Sequence, residues 1–220
     1  SFDDVTLTNS ITPPVADAGV DQTLCNTSTF TLTGNAATPG TGTWTIQGAA
    51  NGALITNINS PTTTVTGLTA GFSVTLRWTI ANGSCSTFDD VVLTNSATPV
   101  AANAGADQEL CNTPNFTLAA DTPSPVSATG LWTFVGVPNG ATITTPTSET
   151  STVTGLTAGF SVTLRWTVTN GACTSFDDVT LTNSITPPVA DAGVDQTLCN
   201  TSTFTLTGNA ATPGTGTWTI

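Results

Sequence analysis

Val74-Thr75-Leu76-Arg77-Trp78-Thr79-Ile80 sets an apolar side chain at every second position and a polar one between them. Successive side chains of a β-strand point to opposite faces, so a period of two marks a strand with one buried face. The same alternation runs through Thr29 to Thr33, Thr43 to Ile46 and Val5 to Thr8. Turn residues separate these runs: Pro39-Gly40, Asn51-Gly52, Ala70-Gly71 and Asn82-Gly83. Asn-Gly between two alternating runs is a strong hairpin signal. No segment shows the 3.6-residue period of an amphipathic helix.

Working outward, the stretch belongs to a repeat. Val65 to Trp78 returns without change as Val153 to Trp166, and positions 1–46 return without change as 175–220. Inside that long period lies an imperfect repeat: Ala18-Gly19-Val20-Asp21-Gln22 recurs as Ala104 to Gln108 and as Ala192 to Gln196. Four pieces follow. Positions 1–13 read as the last strand of a preceding module, 14–99 and 100–187 as two complete modules, and 188–220 as the first strands of a third module. The chain reads as a segment of a longer periodic polymer.

About seven short strands in roughly 87 residues, separated by turns, predict an all-β fold of tandem immunoglobulin-like (PKD-like) β-sandwich modules in a linear array. In the first module the strands are expected at 15–24 (A), 28–34 (B), 42–48 (C), 62–68 (E), 72–81 (F) and 87–94 (G), with a short one near 53–58. Trp44 on C and Trp78 on F are expected to face each other across the core.

Composition narrows the chemistry. The chain carries 2 basic and 14 acidic residues, with no His, Tyr or Met, for a net charge of -12. Such a surface repels nucleic-acid phosphates and anionic lipid, so neither is an expected partner. Threonine, about a quarter of the residues, fills the polar strand positions and suits them as a β-branched residue. Without His, Lys or Tyr the usual general bases and activated nucleophiles are missing, so no enzyme, catalytic residue or cofactor is expected. Asp89 and Asp90 are strand neighbours pointing to opposite faces, which rules them out as an acid/base pair. Asp17 and Asp21, beside a module junction, are the candidates for calcium, which takes six or more oxygen ligands. The alternative is that Asp21 and Asp107 satisfy backbone donors at a strand kink. Asn26, Asn82, Asn115 and Asn200 stand in Asn-x-Ser/Thr sequons. Folding about Asn82-Gly83 sets Arg77 opposite Asp90, and the second module sets Arg165 opposite Asp178, as register-fixing ion pairs. Phe88, Phe176 and Phe134 depart from the inward parity of the other aromatics.

Each module has one cysteine at the A–B turn (Cys25, Cys111, Cys199) and one just after the F–G turn (Cys85, Cys173). In such a sandwich the two turns lie at opposite ends, a strand length apart, whereas a disulfide needs Cα atoms within about 7 Å. The far end of one module abuts the near end of the next. This predicts Cys25–Cys173 between modules, with Cys85 and Cys111 left for neighbouring modules. The alternative, Cys25–Cys85 and Cys111–Cys173 within modules, requires a different strand order at the A–B corner.

The pattern Asp17-Ala18-Gly19-x-Asp21-Gln22, Thr-Phe-Thr-Leu-Thr-Gly, Gly-Thr-Trp-Thr-Ile, Leu-Arg-Trp-Thr-Ile and Asn-Gly-x-Cys resembles the PKD-like and Ig-like tandem repeats of giant Bacteroidetes cell-surface proteins, the mobile adhesins of gliding bacteria among them. The resemblance covers essentially the whole chain. It implies an exported protein at the bacterial cell surface, carried by the type IX route. The expected role is a structural shaft of an extracellular fibre, with an array of adhesive modules binding glycan or protein ligands as the alternative. Its expected partners are neighbouring modules of the same chain or identical chains in a filament.

Overall fold

A computed structural model describes residues 2–220, and among these every regular element is a strand. The chain divides into two compact units. One holds Ser1–Ala102, Pro123–Gly130 and Val168–Ser175; the other holds Asn103–Thr122, Leu131–Thr167 and Phe176–Ile220.

In the first unit, β1 (Gln22–Cys25), β3 (Thr41–Gln47), β6 (Phe72–Asn82) and β7 (Cys85–Ser96) form a sheet in the order β1-β7-β6-β3. A second sheet of β2 (Phe30–Thr33), β4 (Leu54–Ile55) and β5 (Thr62–Thr66) has the order β2-β5-β4. The inward alternates of both meet in one core: Phe30, Leu32 and Val65 from the smaller sheet, and Trp44, Val74, Leu76, Trp78, Ile80, Val91 and Leu93 from the larger. The hairpin β6–β7 is the longest ladder, running from Phe72↔Asn95 to Asn82↔Cys85. Gly83 turns it with φ 60°, a left-handed conformation that glycine adopts without steric cost.

Trp44 and Trp78 do not face each other from opposite sheets. They are directly paired residues of β3 and β6, with ring centroids 4.9 Å apart. Strands C and F are sheet neighbours, so equal parity puts both indoles side by side on one inner face. Gly42, two positions before Trp44, makes room for them, since a Cβ there would collide with the Trp78 ring.

The first strand begins later than the alternation predicts, at Gln22. From Pro14 to Asp21 side chains replace the ladder. Thr87 Oγ1 accepts the Ala16 N–H and donates to Pro14 O, Asp89 accepts the Ala18 N–H at 2.8 Å, and Asp21 accepts the Val92 N–H at 2.8 Å. From Gln22 the chain pairs in parallel with β7, up to Cys25↔Ser96.

A second sandwich is built on the same plan. β8 (Gln108–Cys111), β10 (Thr129–Val135), β13 (Phe160–Asn170) and β14 (Cys173–Ser184) form a sheet in the order β10-β13-β14-β8. β9 (Phe116–Thr117), β11 (Thr142–Ile143) and β12 (Thr152–Thr154) form the sheet β11-β12-β9. Trp132 and Trp166 lie 5.0 Å apart, and Leu118, Val153, Leu164 and Leu181 are buried.

Two stretches expected as strands contain none. Residues 2–13 and 188–220 are irregular, although 5–8 match Val179–Thr182 of β14 and 188–220 match 14–46, which contain β1, β2 and β3. The difference is the partner. β14 has β13 beside it, and β2 and β3 have β5 and β6, whereas among the described residues no such strand lies beside either stretch. A strand outside a ladder leaves its backbone groups to water and buries no face.

Two copies of one sequence thus make an internal control. In amide hydrogen exchange followed by NMR, the ladder amides of Thr31–Thr33 and Thr43–Ile46 are expected to be protected by orders of magnitude over those of 205–207 and 217–220. Equal protection in both copies would show that the strands form without their partners.

Candidate functional site

The features that set this chain apart lie at the ends of its strands. Cys25 and Cys173 form a disulfide with Cα atoms 4.8 Å apart across 148 residues of sequence. Cys25 closes β1 and Cys173 opens β14. Cys25 is placed by its parallel pairing to Ser96, and the Asn26 N–H donates to Ser96 O at 2.9 Å. Cys173 is placed by the turn before it, which grips the end of β7. Asn170 Nδ2 donates to Ala97 O at 2.8 Å, and the Ala172 N–H donates to Ser96 Oγ at 3.1 Å. Gly171 has φ 57°, and a Cβ there would collide with Ser96 Oγ, so the glycine permits the close approach. The Cys173 sulfur is buried, 1% exposed, 3.3 Å from Ser96 O.

The alternative pairings within modules do not occur. Cys85 opens β7 and Ser96, beside Cys25, ends it. The full length of that strand, about 36 Å, separates the two positions, so Cys25 and Cys85 are out of disulfide reach. Cys173 is bonded to Cys25, which leaves none for Cys111. Cys85, Cys111 and Cys199 are free thiols.

The loop that grips Ser96 has a counterpart in the turn between β6 and β7. Asn82 Nδ2 donates to Ile11 O at 2.8 Å, and a Cβ on Gly83 would collide with Ser10 Oγ. Ser10, Ile11, Asn82 and Gly83 therefore stand to one another as Ser96, Ala97, Asn170 and Gly171 do. The pairing that places Cys25 also has a counterpart. β8 pairs in parallel with β14 up to Cys111↔Ser184, and the Asn112 N–H donates to Ser184 O at 2.7 Å. Cys111 is exposed, with its sulfur 3.4 Å from Thr186 Oγ1.

On the outer sheet face, Arg77 lies opposite Asp90 in the ladder and donates from Nε and Nη2 to its two carboxylate oxygens, each at 2.8 Å. Arg165 meets Asp178 in the same way at 2.8 and 2.9 Å. Hydrogen bonds from the guanidinium hold each carboxyl below the ordinary carboxylate range, with partial burial opposing and charge attraction assisting. Each guanidinium also covers an aromatic ring, Arg77 over Phe88 and Arg165 over Phe176, both 3.8 Å from the centroid. Phe88 is 59% exposed, so its outward face is spent on the cation of its own module rather than on the core. Phe134 does not depart from the inward parity: it stands two positions after Trp132 on the same face of β10 and is half-buried.

The calcium candidates are engaged by backbone. Asp17 Oδ1 accepts the Gly19 N–H at 2.9 Å, and Asp21 accepts Val92. In the second module Asn103 Oδ1 accepts the Gly105 N–H, and Asp107 accepts Thr180. Among the described residues no three His, Cys, Asp or Glu side chains converge. Of the sequons, Asn82 has its amide nitrogen committed to Ile11 O, and Asn26 and Asn200 take φ of 44° and 58°.

No protein-family model and no curated protein matches this sequence. Among solved structures the chain is similar to extracellular domains 3–5 of Drosophila OTK, at 13% identity and a TM-score of 0.53, over 81% of this chain and 61% of that one. It is also similar to a three-immunoglobulin-domain titin fragment carrying E-to-A changes, at 16% identity and a TM-score of 0.49, over 81% of this chain and 68% of the other. The likeness to OTK shows the fold: tandem immunoglobulin-like β-sandwiches.

The outer-face pairs and the inner-face indoles differ in what they support. Trp78→Ala is expected to cost about 3–5 kcal/mol in denaturant unfolding by emptying the core, and Asp90→Asn much less, since the pair is exposed. Because the folded Asp90 carboxyl is depressed, its contribution is present above the carboxyl's ordinary range and is lost as pH falls through the lower folded value. Unfolding of the Asp90→Asn variant compared with the parent should therefore differ at neutral pH and converge only in strong acid.

Proposed function

We propose that this chain is a structural segment of an extracellular fibre or giant surface repeat protein, and that its work is to be a durable shaft. The observation that carries the reading is the Cys25–Cys173 bond in a chain whose positions 1–46 return unchanged as 175–220. A disulfide tying one repeat to the following one adds nothing to a binding face. It does add covalent strength to a run of modules, here read as 14–99 and 100–187. Stable disulfides belong to oxidising surroundings, which favours a site outside the cytosol. The likeness to Bacteroidetes repeat proteins extends this to a bacterial surface reached by the type IX route.

In this reading Cys85 and Cys111 bond to cysteines of adjoining copies of the repeat. The loop side of such a joint is assembled around Cys85 by Asn82 and Gly83. The strand side is assembled around Cys111 by its pairing with Ser184. Carried forward by one period, the counterpart of Cys85 follows Cys111 at the same separation of 148 that lies between Cys25 and Cys173. Partners are then neighbouring copies of the chain's own repeat. A charge of -12 disfavours nucleic acid and anionic membranes.

The adhesive reading rests on Phe88 and Phe176, the exposed aromatics of the outer sheet face. Their capping by Arg77 and Arg165 leaves them less available to a ligand than bare rings.

Electron microscopy of the native assembly is expected to show thin fibres with a regular axial repeat, and isolated globular particles would overturn the shaft. Peptide mapping without reduction is expected to recover Cys85 linked to Cys111. Both thiols free in freshly isolated material would remove the second joint.

A further inference from the structure

The disulfide joins the last residue of β1 to the first residue of β14. From this we infer that the bond is a load bypass: tension along the chain runs from β1 through the disulfide into β14, and the chain folded between the two cysteines is not drawn out. The inference rests on the shaft reading for its purpose, but its mechanics follow from the connectivity alone.

A pulling force travels through the shortest covalent path between the points where it is applied. Between Cys25 and Cys173 that path is one disulfide, and the whole stretch 26–172 hangs from it as a side loop. The loop contains β2 through β13, and with them all four tryptophans of the two cores, Trp44, Trp78, Trp132 and Trp166. Force applied beyond either cysteine therefore cannot draw out β3, β6, β10 or β13, although β14, which carries it, is paired with β13. An unbridged sandwich under tension lengthens by unfolding, because the chain stored in its strands is drawn out. Here the stored chain lies off the path.

What remains on the path has little length to give. β14 continues from the bond as twelve residues of strand, and β1 leads into it as four. A strand is already near full extension, at about 3.3 Å per residue against a limit of about 3.6 Å. The path can peel from its neighbours without growing much longer. In any longer run of the repeat, Cys199 takes the place of Cys25, because 175–220 restate 1–46. Cys199 follows soon after Cys173, so each period would contribute only the stretch 174–199 as extensible chain. The drawn-out length of the fibre falls roughly sevenfold, from about 600 Å to about 90 Å per period.

The placement of the cysteines is what achieves this. A bond within one module, Cys25 to Cys85, would take only 26–84 off the path. Linking the A strand of one module to the G strand of the next takes the whole of 26–172 off the path with one bond.

The test is single-molecule stretching of the full chain held at its two ends, with Cys85, Cys111 and Cys199 changed to Ser so that one bond is possible. With the disulfide intact, the fully stretched chain should be about 500 Å shorter than after reduction in the same instrument. The length stored in 26–172 should be released only after reduction. A chain that reaches the reduced length while Cys25 and Cys173 remain joined by mass mapping overturns the inference. Because reduction is done on the folded parent, the result does not depend on whether Cys25→Ser folds; that variant should behave as the reduced chain does. A globular native assembly would remove the shaft reading while leaving the length difference in place, so the two fail separately.

Discussion

The ladder between β6 and β7 governs most of what this molecule can do. Its register, fixed at one end by the Gly83 turn, runs unbroken to Phe72↔Asn95. Since side chains alternate, that single register sends Val74, Leu76, Trp78 and Ile80 inward together with Val91 and Leu93, and sends Arg77, Phe88 and Asp90 outward as one stacked group. A slip of one residue would reverse both sets. The ladder's length also keeps Cys85 at one end and Ser96 at the other. Cys25, tied to Ser96 by parallel pairing, is thereby held away from the cysteine of its own module.

Carboxylates in this chain act on the backbone and on arginine. Asp89 and Asp90, adjacent in sequence, are divided by the pleat between two tasks: one holds the Ala18 N–H, the other the Arg77 guanidinium. Asp21 and Asp107 repeat the first task in each module, at Val92 and Thr180. These bonds let the segment from Pro14 to Asp21 lie against β7 without a regular ladder, and carry it to the point where β1 can begin. The position of Cys25 thus depends on a run of side-chain to backbone hydrogen bonds as well as on strand pairing.

The duplicated segment separates local preference from tertiary context. Phe30 to Thr33 is a strand with a buried alternate face, whereas the same four residues at 204–207 are irregular and exposed. The sequence, its threonines and its turns are unchanged between the copies. Only the presence of β5 differs, and with it the hydrogen-bond partners and the apolar face on which Phe30 and Leu32 close. A period of two therefore states which face a strand will bury if it pairs, and leaves open whether it pairs.

By itself the sequence determined the periods of the repeat, the parity of the core residues in its clearly alternating runs, the two arginine–aspartate pairs and the turn positions, because each follows from spacing along one strand or across one tight hairpin. It also placed one cysteine at each end of a module, which separated Cys25 from Cys85 on length alone. Only the tertiary structure decided that Trp44 and Trp78 lie side by side in one sheet, that Phe88 is capped by Arg77, and that the A segment is held by side chains before its strand begins. It alone decided which copy of the duplicated sequence forms strands. The reason is common to all of these: each depends on which distant segment supplies the partner, and backbone hydrogen bonds between strands carry no mark of that partner in the local sequence.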